Sequence, residues 1–359
     1  MVGDENVSDW EENIRKVVPY VPGEQPKDKK VIKLNTNECP YAPSPGVEEL
    51  LNKFHYEDLR LYPDPEAESL VKALSDYYHV SEDQIFVGVG SDDVLSMAFL
   101  TFFNSTLPII FPDITYSFYD VWADLYHIPY HRIPLDDNFA MIKEDYFCDN
   151  GGVIFPNPNA PTGLLEDITV VEEIIRKNPG VVVIVDEAYI DFGGKSALSL
   201  VDRYENLLVV QTFSKSRAMA GMRIGFAIGS KKLIHYLKDA KFSFNSYTMN
   251  RPSIECGTAA VKDDAYFHDI CNRIIQTRER VKPQLKKLGF IFPDSSSNFI
   301  FAKHEKVSGQ ELFDMLKEHH IFVRHWNAPR ISDYLRITIG TDDQMDELIA
   351  VLRDYLAER

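Results

Sequence analysis

Between about residues 80 and 230 the chain alternates short apolar runs with amphipathic stretches. The runs are Ile85-Phe86-Val87, Pro108 to Phe111, His131 to Leu135, Val153-Ile154-Phe155, Val181 to Val185, Leu207 to Phe213 and Phe226-Ala227-Ile228. Several are apolar on successive residues, as strands covered on both faces require. Between them, Asp92 to Phe103 and Asp167 to Lys177 carry helical patterns. Strand and helix in alternation predict an α/β fold with a mainly parallel, doubly wound sheet.

The last hundred residues change pattern. Strands are predicted at Asn298 to Ala302, Ile321 to Arg324 and Tyr334 to Ile339, and helices at Ser308 to His320 and Asp342 to Leu356. In the final helix Met345, Leu348, Leu352 and Tyr355 recur at three- and four-residue steps and form one apolar face. The expected organisation is a large domain over 35–250, a small C-terminal α/β domain over 251–359, and an N-terminal arm over 1–34. Pro19, Pro22 and Pro26 make that arm irregular, suited to draping over the small domain or a partner subunit.

Charge narrows the range of ligands. The 38 basic and 55 acidic residues give a net charge of −17, which disfavours nucleic acid as a partner. An anionic ligand must then be held locally, by arginines and backbone N–H groups. No run approaches the roughly 18 apolar residues of a membrane helix. Met1 to Glu12 is acidic and polar, unlike a targeting segment, so a cytoplasmic location is expected. Cys39, Cys148, Cys256 and Cys271 form no C-x-x-C pair, and the histidines show no metal-ligand spacing, so free thiols and no metal are expected.

The candidate chemistry lies where the apolar runs end. Leu207-Leu208-Val209-Val210 leads into Thr212-Phe213-Ser214-Lys215, with Arg223 eight residues on. In open α/β sheets ligands bind beyond the carboxyl ends of the strands. A lysine amine there can form a Schiff base with a carbonyl substrate or with pyridoxal phosphate. Gly88-Val89-Gly90-Ser91-Asp92-Asp93 turns a strand into a helix N-terminus, a natural phosphate seat or simply a tight, capped turn. Asp186, closing the most apolar strand, is either a helix cap or an acid paired with a heterocyclic nitrogen. Asn157-Pro158-Asn159-Ala160-Pro161-Thr162-Gly163 has turn composition. Tyr116 offers core packing or a stacking face. Arg336, opposite the apolar Leu335, Ile337 and Ile339, offers a fork for a carboxylate or an exposed charge.

As a set, these segments resemble the fold-type-I pyridoxal-phosphate aminotransferases over nearly the whole chain, most closely those acting on histidinol phosphate. The most specific pieces are Ser214-Lys215 to Arg223, Asp186-Glu187-Ala188-Tyr189, Asn159-Ala160-Pro161-Thr162-Gly163 and Tyr62-Pro63-Asp64-Pro65. The resemblance implies a large domain with a mostly parallel seven-stranded sheet between helices, plus a small domain. It implies pyridoxal 5′-phosphate as cofactor and exchange of an amino group between L-histidinol phosphate and 2-oxoglutarate in histidine biosynthesis.

Carried over by position, Lys215 is the Schiff-base lysine and proton carrier. Asp186 pairs with the pyridinium nitrogen, Tyr189 with the phenolic oxygen, and Tyr116 stacks on the ring. Ser91, Asp92, Thr212, Ser214 and Arg223 hold the phosphate. Tyr62 reaches a neighbouring subunit's site, implying a homodimer with shared active sites. Tyr20, Asn37, Arg324 and Arg336 face the substrate. Ala160 departs from the asparagine of the usual N-P-T-G, leaving Asn159 or Asn157 to supply its contact to the cofactor; without it, the bound imine should hold its proton to higher pH. Cys39 and Ala42 depart from the N-E-N-P-Y-G pattern. The same resemblance admits an aromatic amino-acid aminotransferase and a lyase similar to threonine-phosphate decarboxylase. A non-enzymatic cofactor-binding regulator would need an appended DNA-binding segment, for which the acidic arm is too short.

Overall fold

Strands that are apolar on every residue need cover on both faces. In the computed structural model, which describes residues 10–27 and 30–357, they have it. Positions 1–9 of the expected arm, and with them most of the acidic N-terminal stretch, lie outside the described residues. After β1 (Ile32–Lys33) come β2 (Ile85–Gly88), β3 (Ile109–Pro112), β4 (Tyr130–Ile133), β5 (Val153–Pro156), β6 (Val183–Asp186), β7 (Leu207–Thr212) and β8 (Gly225–Gly229). The last seven form one sheet in the order β2-β8-β7-β6-β5-β3-β4. Val183, Val185 and Val209 point into one apolar core, and Ile184, Leu208 and Val210 into another on the opposite face. At ~1.5–3 kcal/mol for each fully buried aliphatic side chain, an unbroken apolar run is what such a two-sided strand demands.

All strands of this sheet run parallel except β8, which is antiparallel to both β2 and β7. The carboxyl ends of β3, β5, β6 and β7 therefore share one edge. The reversal of β8 brings its first residue, Gly225, to that edge, in register with Gly88 on one side and Thr212 on the other. Arg223, two residues earlier, arrives with it.

The second sheet is built from β9 (Phe290–Ile291), β10 (Phe299–His304), β12 (Arg324–His325) and β13 (Tyr334–Thr338), and the short β11 (Ile321–Phe322) lies outside it. Its order is β12-β13-β10-β9, all antiparallel. The single strand predicted at Ile321 to Arg324 is divided. β11 pairs in parallel with β1, Val323 turns inward, and β12 crosses to pair with β13. Helix Arg251–Lys262, which the sequence groups with the C-terminal unit, places Ile254, Cys256, Ala260 and Val261 in the core under the large sheet.

The arm runs between the two sheets. Tyr20 stacks on Phe118 at 4.2 Å, Arg324 Nη2 donates to Val21 O (3.3 Å), and Asn35 Nδ2 donates to Glu24 O (2.7 Å). Among the described residues no helix is long and apolar enough to cross a membrane.

Candidate active site

At the shared strand edge lies a cavity of about 170 Å³, lined by Lys215, Asp186, Tyr189, Tyr116, Ser91, Asp92, Thr212, Ser214 and Arg223 together with Thr36, Ala160 and others. Nine sequence-predicted residues, distributed from position 91 to 223, thus meet in one place. Lys215 enters because Phe213, fully buried, anchors the chain just before it. Its Nζ donates to Thr36 O at 3.1 Å and, among the described residues, has no salt-bridge partner. Burial, aided by the Arg336 charge, pushes its pKa down to about 8. A tenth or so of the amine is then uncharged at pH 7, against less than a thousandth for a free lysine.

Asp186 lies at the cavity floor, 4% exposed. Its Oδ2 accepts the Tyr119 hydroxyl (2.9 Å) and its Oδ1 the Ala188 N–H (3.2 Å). Burial nevertheless pushes its carboxyl up to about 6, the signature of an acid lacking a cationic partner. The sequence reading did not include Tyr119. Tyr119 lies three residues past Tyr116, in the first turn of helix Phe118–Tyr126.

Opposite the acid, helix Ser91–Phe102 presents its N-terminus, where free N–H groups and the macrodipole favour an anion. Two glycines allow the surrounding chain to converge there. Gly90 has φ of 85°, and a Cβ on it would stand 2.5 Å from Arg223 Nη2. A Cβ on Gly225 would stand 2.3 Å from both Gly90 C and Ser91 N. Arg223 Nη2 pairs with Asp92 Oδ2 at 3.1 Å, and the Tyr116 hydroxyl donates to Asp92 Oδ1 at 2.8 Å. Thr212 Oγ1 donates to Ser214 Oγ at 3.0 Å, placing two hydroxyls beside the same seat.

The loop after β5 corrects the expectation for its asparagines. Asn157 is engaged by the Glu166 backbone, donating to its O (3.2 Å) and accepting from its N (2.8 Å). Asn159 Nδ2 donates to Ile114 O and Thr162 Oγ1, both at 3.0 Å, and its buried Oδ1 can only accept. Neither asparagine lines the cavity, whereas Ala160 does. Tyr189 keeps its place, with Asn37 Nδ2 donating to its Oη at 2.8 Å.

The cavity opens into a cleft of about 810 Å³ whose lining includes Tyr20, Asn37, Arg324 and Arg336, and also Arg132, Trp326 and Arg330, which the sequence did not single out. Arg336 Nη2 donates to Asn35 O (3.1 Å), and the guanidinium lies over the rings of Trp326 (5.2 Å) and Phe299 (5.4 Å). Its Nε is buried without a partner. Arg330 clasps the cleft wall through Asp113 (3.0 Å) and Leu135 O (3.0 Å). In a chain of charge −17 these arginines concentrate positive charge in the cleft, Arg132 and Arg330 being paired with Asp120 and Asp113. Tyr62 does not line its own chain's cavity. It is 79% exposed, and its ring lies tilted by 30° against that of Tyr247, with centroids 4.6 Å apart.

The arrangement fits pyridoxal phosphate. A buried amine with no carboxylate partner among the described residues faces the cavity, an acid short of a cation lies at its floor, and Arg223 stands beside a glycine-cleared helix terminus.

Comparison with known proteins gives a consistent result. Residues 29–352 match the family model described as aminotransferase class I and II. A histidinol-phosphate aminotransferase of Lactococcus lactis subsp. cremoris (strain MG1363) is 50% identical over 350 residues, 98% of each chain. Among solved structures, a histidinol-phosphate aminotransferase from Clostridium acetobutylicum superposes with a TM-score of 0.84 at 22% identity, over 92% of this chain and 100% of that one. A histidinol-phosphate aminotransferase from Sinorhizobium meliloti, solved in complex with pyridoxal-5′-phosphate, gives 0.83 at 23% identity over 92% of both.

Proposed function

The chain belongs to the class I and II aminotransferase family, and we propose from this premise how its residues bind and exchange an amino group. It is a pyridoxal-phosphate-dependent aminotransferase. Identity of 50% across 98% of a histidinol-phosphate aminotransferase carries the substrate: L-histidinol phosphate, with 2-oxoglutarate as acceptor, in histidine biosynthesis.

When bound, the cofactor supplies an aldehyde that takes up the substrate amine and a ring that spreads the electron pair left when a proton departs. The chain's residues do the rest. Lys215 Nζ is the amine that would hold the cofactor's aldehyde. It would then be the base that takes the proton from the substrate carbon and the acid that delivers it to the cofactor's aldehyde carbon, its pKa of about 8 leaving part of the amine uncharged at neutral pH. Asp186 sits where a ring nitrogen needs a counter-charge. The Ser91 helix terminus, Thr212, Ser214 and Arg223 seat the phosphate. Tyr116 would cover a face of the ring, and Tyr189 would offer its hydroxyl to the phenolic oxygen.

In the cleft, Arg336 receives the carboxylate of glutamate, and Tyr20 and Arg324 receive the phosphate of histidinol phosphate. Asn37, expected at the substrate, is bonded to Tyr189 and acts through it. A homodimer with shared sites accompanies this assignment. Its support is the exposure of Tyr62 and of Tyr247, whose rings lie side by side, with Tyr62 free to complete a neighbour's site. A cytoplasmic location goes with the same biosynthetic role.

The test is a stoichiometric assay of L-histidinol phosphate with 2-oxoglutarate, which should form glutamate one for one. Release of carbon dioxide without consumption of the keto acid would indicate a lyase instead. Faster turnover of phenylalanine or tyrosine would indicate an aromatic aminotransferase.

A further inference from the structure

Ala160 removes an amide donor from the cofactor's phenolic oxygen, and neither neighbouring asparagine replaces it. Tyr189 therefore carries that contact with less help, and the direction of its hydroxyl proton becomes decisive. Asn37 determines that direction. It is 1% exposed and left-handed (φ 56°), a conformation asparagine tolerates better than most residues. Its backbone N–H donates to Thr338 Oγ1 at 3.0 Å. An N–H can only donate, so the Thr338 hydroxyl accepts there and sends its own proton to Asn37 Oδ1, also at 3.0 Å. The amide is thereby oriented with Nδ2 toward Tyr189 Oη at 2.8 Å, and Asn298 Nδ2 holds the Asn37 carbonyl at 3.0 Å. Because Tyr189 Oη accepts from Asn37, its own proton is left for the cavity.

We propose that Thr338 and Asn37 are positioning residues: the Thr338–Asn37–Tyr189 relay compensates for Ala160 by aiming the Tyr189 hydroxyl at the cofactor. The inference rests on the pyridoxal-phosphate reading. Without the Thr338 hydroxyl the amide is free to turn its oxygen toward Tyr189, which draws the phenolic proton away from the cavity. The other charged or titratable groups facing Tyr189 are Arg336, Asp186, Asp92, Tyr116 and Tyr119, with Lys215 Nζ 5.9 Å from its ring centre. The relay variants leave all of them in place.

The experiment is a pH titration of the bound cofactor's visible absorbance in the holoenzyme. Thr338→Val should raise the midpoint by roughly half to one pH unit, a three- to tenfold change in proton affinity, as expected for one lost hydrogen bond. Thr338→Ser, which keeps the hydroxyl, should leave it in place. In a Tyr189→Phe background Thr338→Val should add no shift. Asn37→Asp, read in the same cycle, gives a second route should Thr338→Val fold poorly. Any effect of its charge persists without the Tyr189 hydroxyl, and the relay's effect does not. An unchanged midpoint in Thr338→Val, or an equal shift with and without the Tyr189 hydroxyl, overturns the relay. A wild-type protein that shows no titrating visible band with pyridoxal phosphate overturns the cofactor reading itself, a distinguishable failure.

Discussion

Replacing Asp186 with asparagine separates what the acid contributes to cofactor binding from what it costs the cofactor-free fold. Burial lifts its carboxyl from 3.8 to about 6. At ~1.36 kcal/mol per pH unit, the charged form destabilises the cofactor-free protein by roughly 3 kcal/mol once the pH is above both values. The sign follows from proton counts. Between the unfolded and folded pKa the folded state binds more protons, so stability falls as pH rises through that window. Asparagine has no charge to desolvate, but it has one oxygen fewer to accept from Tyr119 and Ala188, a loss of about 1 kcal/mol. Asp186→Asn should therefore stabilise the cofactor-free protein by about 2 kcal/mol at pH 8, and by well under ~1 kcal/mol at pH 5. Affinity for pyridoxal phosphate should fall at least tenfold, since the ring nitrogen loses its counter-charge. Denaturant unfolding of the cofactor-free protein at the two pH values measures the first effect, and fluorescence titration with cofactor the second. A variant less stable than wild type at pH 8, or a gain independent of pH, would refute the reasoning.

Three further substitutions probe the remaining parts of the site. Gly225→Ala puts a Cβ 2.3 Å from Ser91 N and Gly90 C, which must displace the phosphate seat at ~1–3 kcal/mol. The cofactor dissociation constant should rise roughly tenfold in fluorescence titration, and an unchanged constant would contradict the seat. Arg324→Ala should lower kcat/KM for L-histidinol phosphate by roughly 10–100-fold, the scale of a charge-assisted hydrogen bond, and leave glutamate nearly unaffected; equal losses would make Arg324 structural. Lys215→Ala should retain cofactor through the phosphate seat on gel filtration. It should show no borohydride-fixed adduct by mass spectrometry, whereas a fixed adduct would move the linkage to another lysine.

Much of this site was legible in the sequence because its parts sit where apolar strands stop. Lys215 follows β7, Asp186 closes β6, and the glycine turn follows β2, so the strand pattern alone set them along one sheet edge. Contacts that depend on distant pairing were not legible. Thr338 lies 301 residues from Asn37, and nothing local marks its hydroxyl as the group that orients an amide beside Tyr189. The asparagines of the loop were misleading because polarity was visible and direction was not. Asn157 bonds the Glu166 backbone and Asn159 bonds Thr162 within its loop and Ile114 beyond β3, partners that composition does not reveal. The division of Ile321 to Arg324 into two strands was hidden for a similar reason. Its residues have strand composition throughout, yet Val323 marks a change of partner from β1 to β13.

The most direct test is a single-turnover experiment on cofactor-loaded protein, with candidate amino donors added one at a time and no keto acid present. L-Histidinol phosphate should bleach the visible band completely and at saturable rate, glutamate should do so as the second donor, and phenylalanine and tyrosine should be slower. Addition of 2-oxoglutarate should then restore the band. A band that L-histidinol phosphate leaves intact while an aromatic amino acid bleaches it would contradict the assigned reaction.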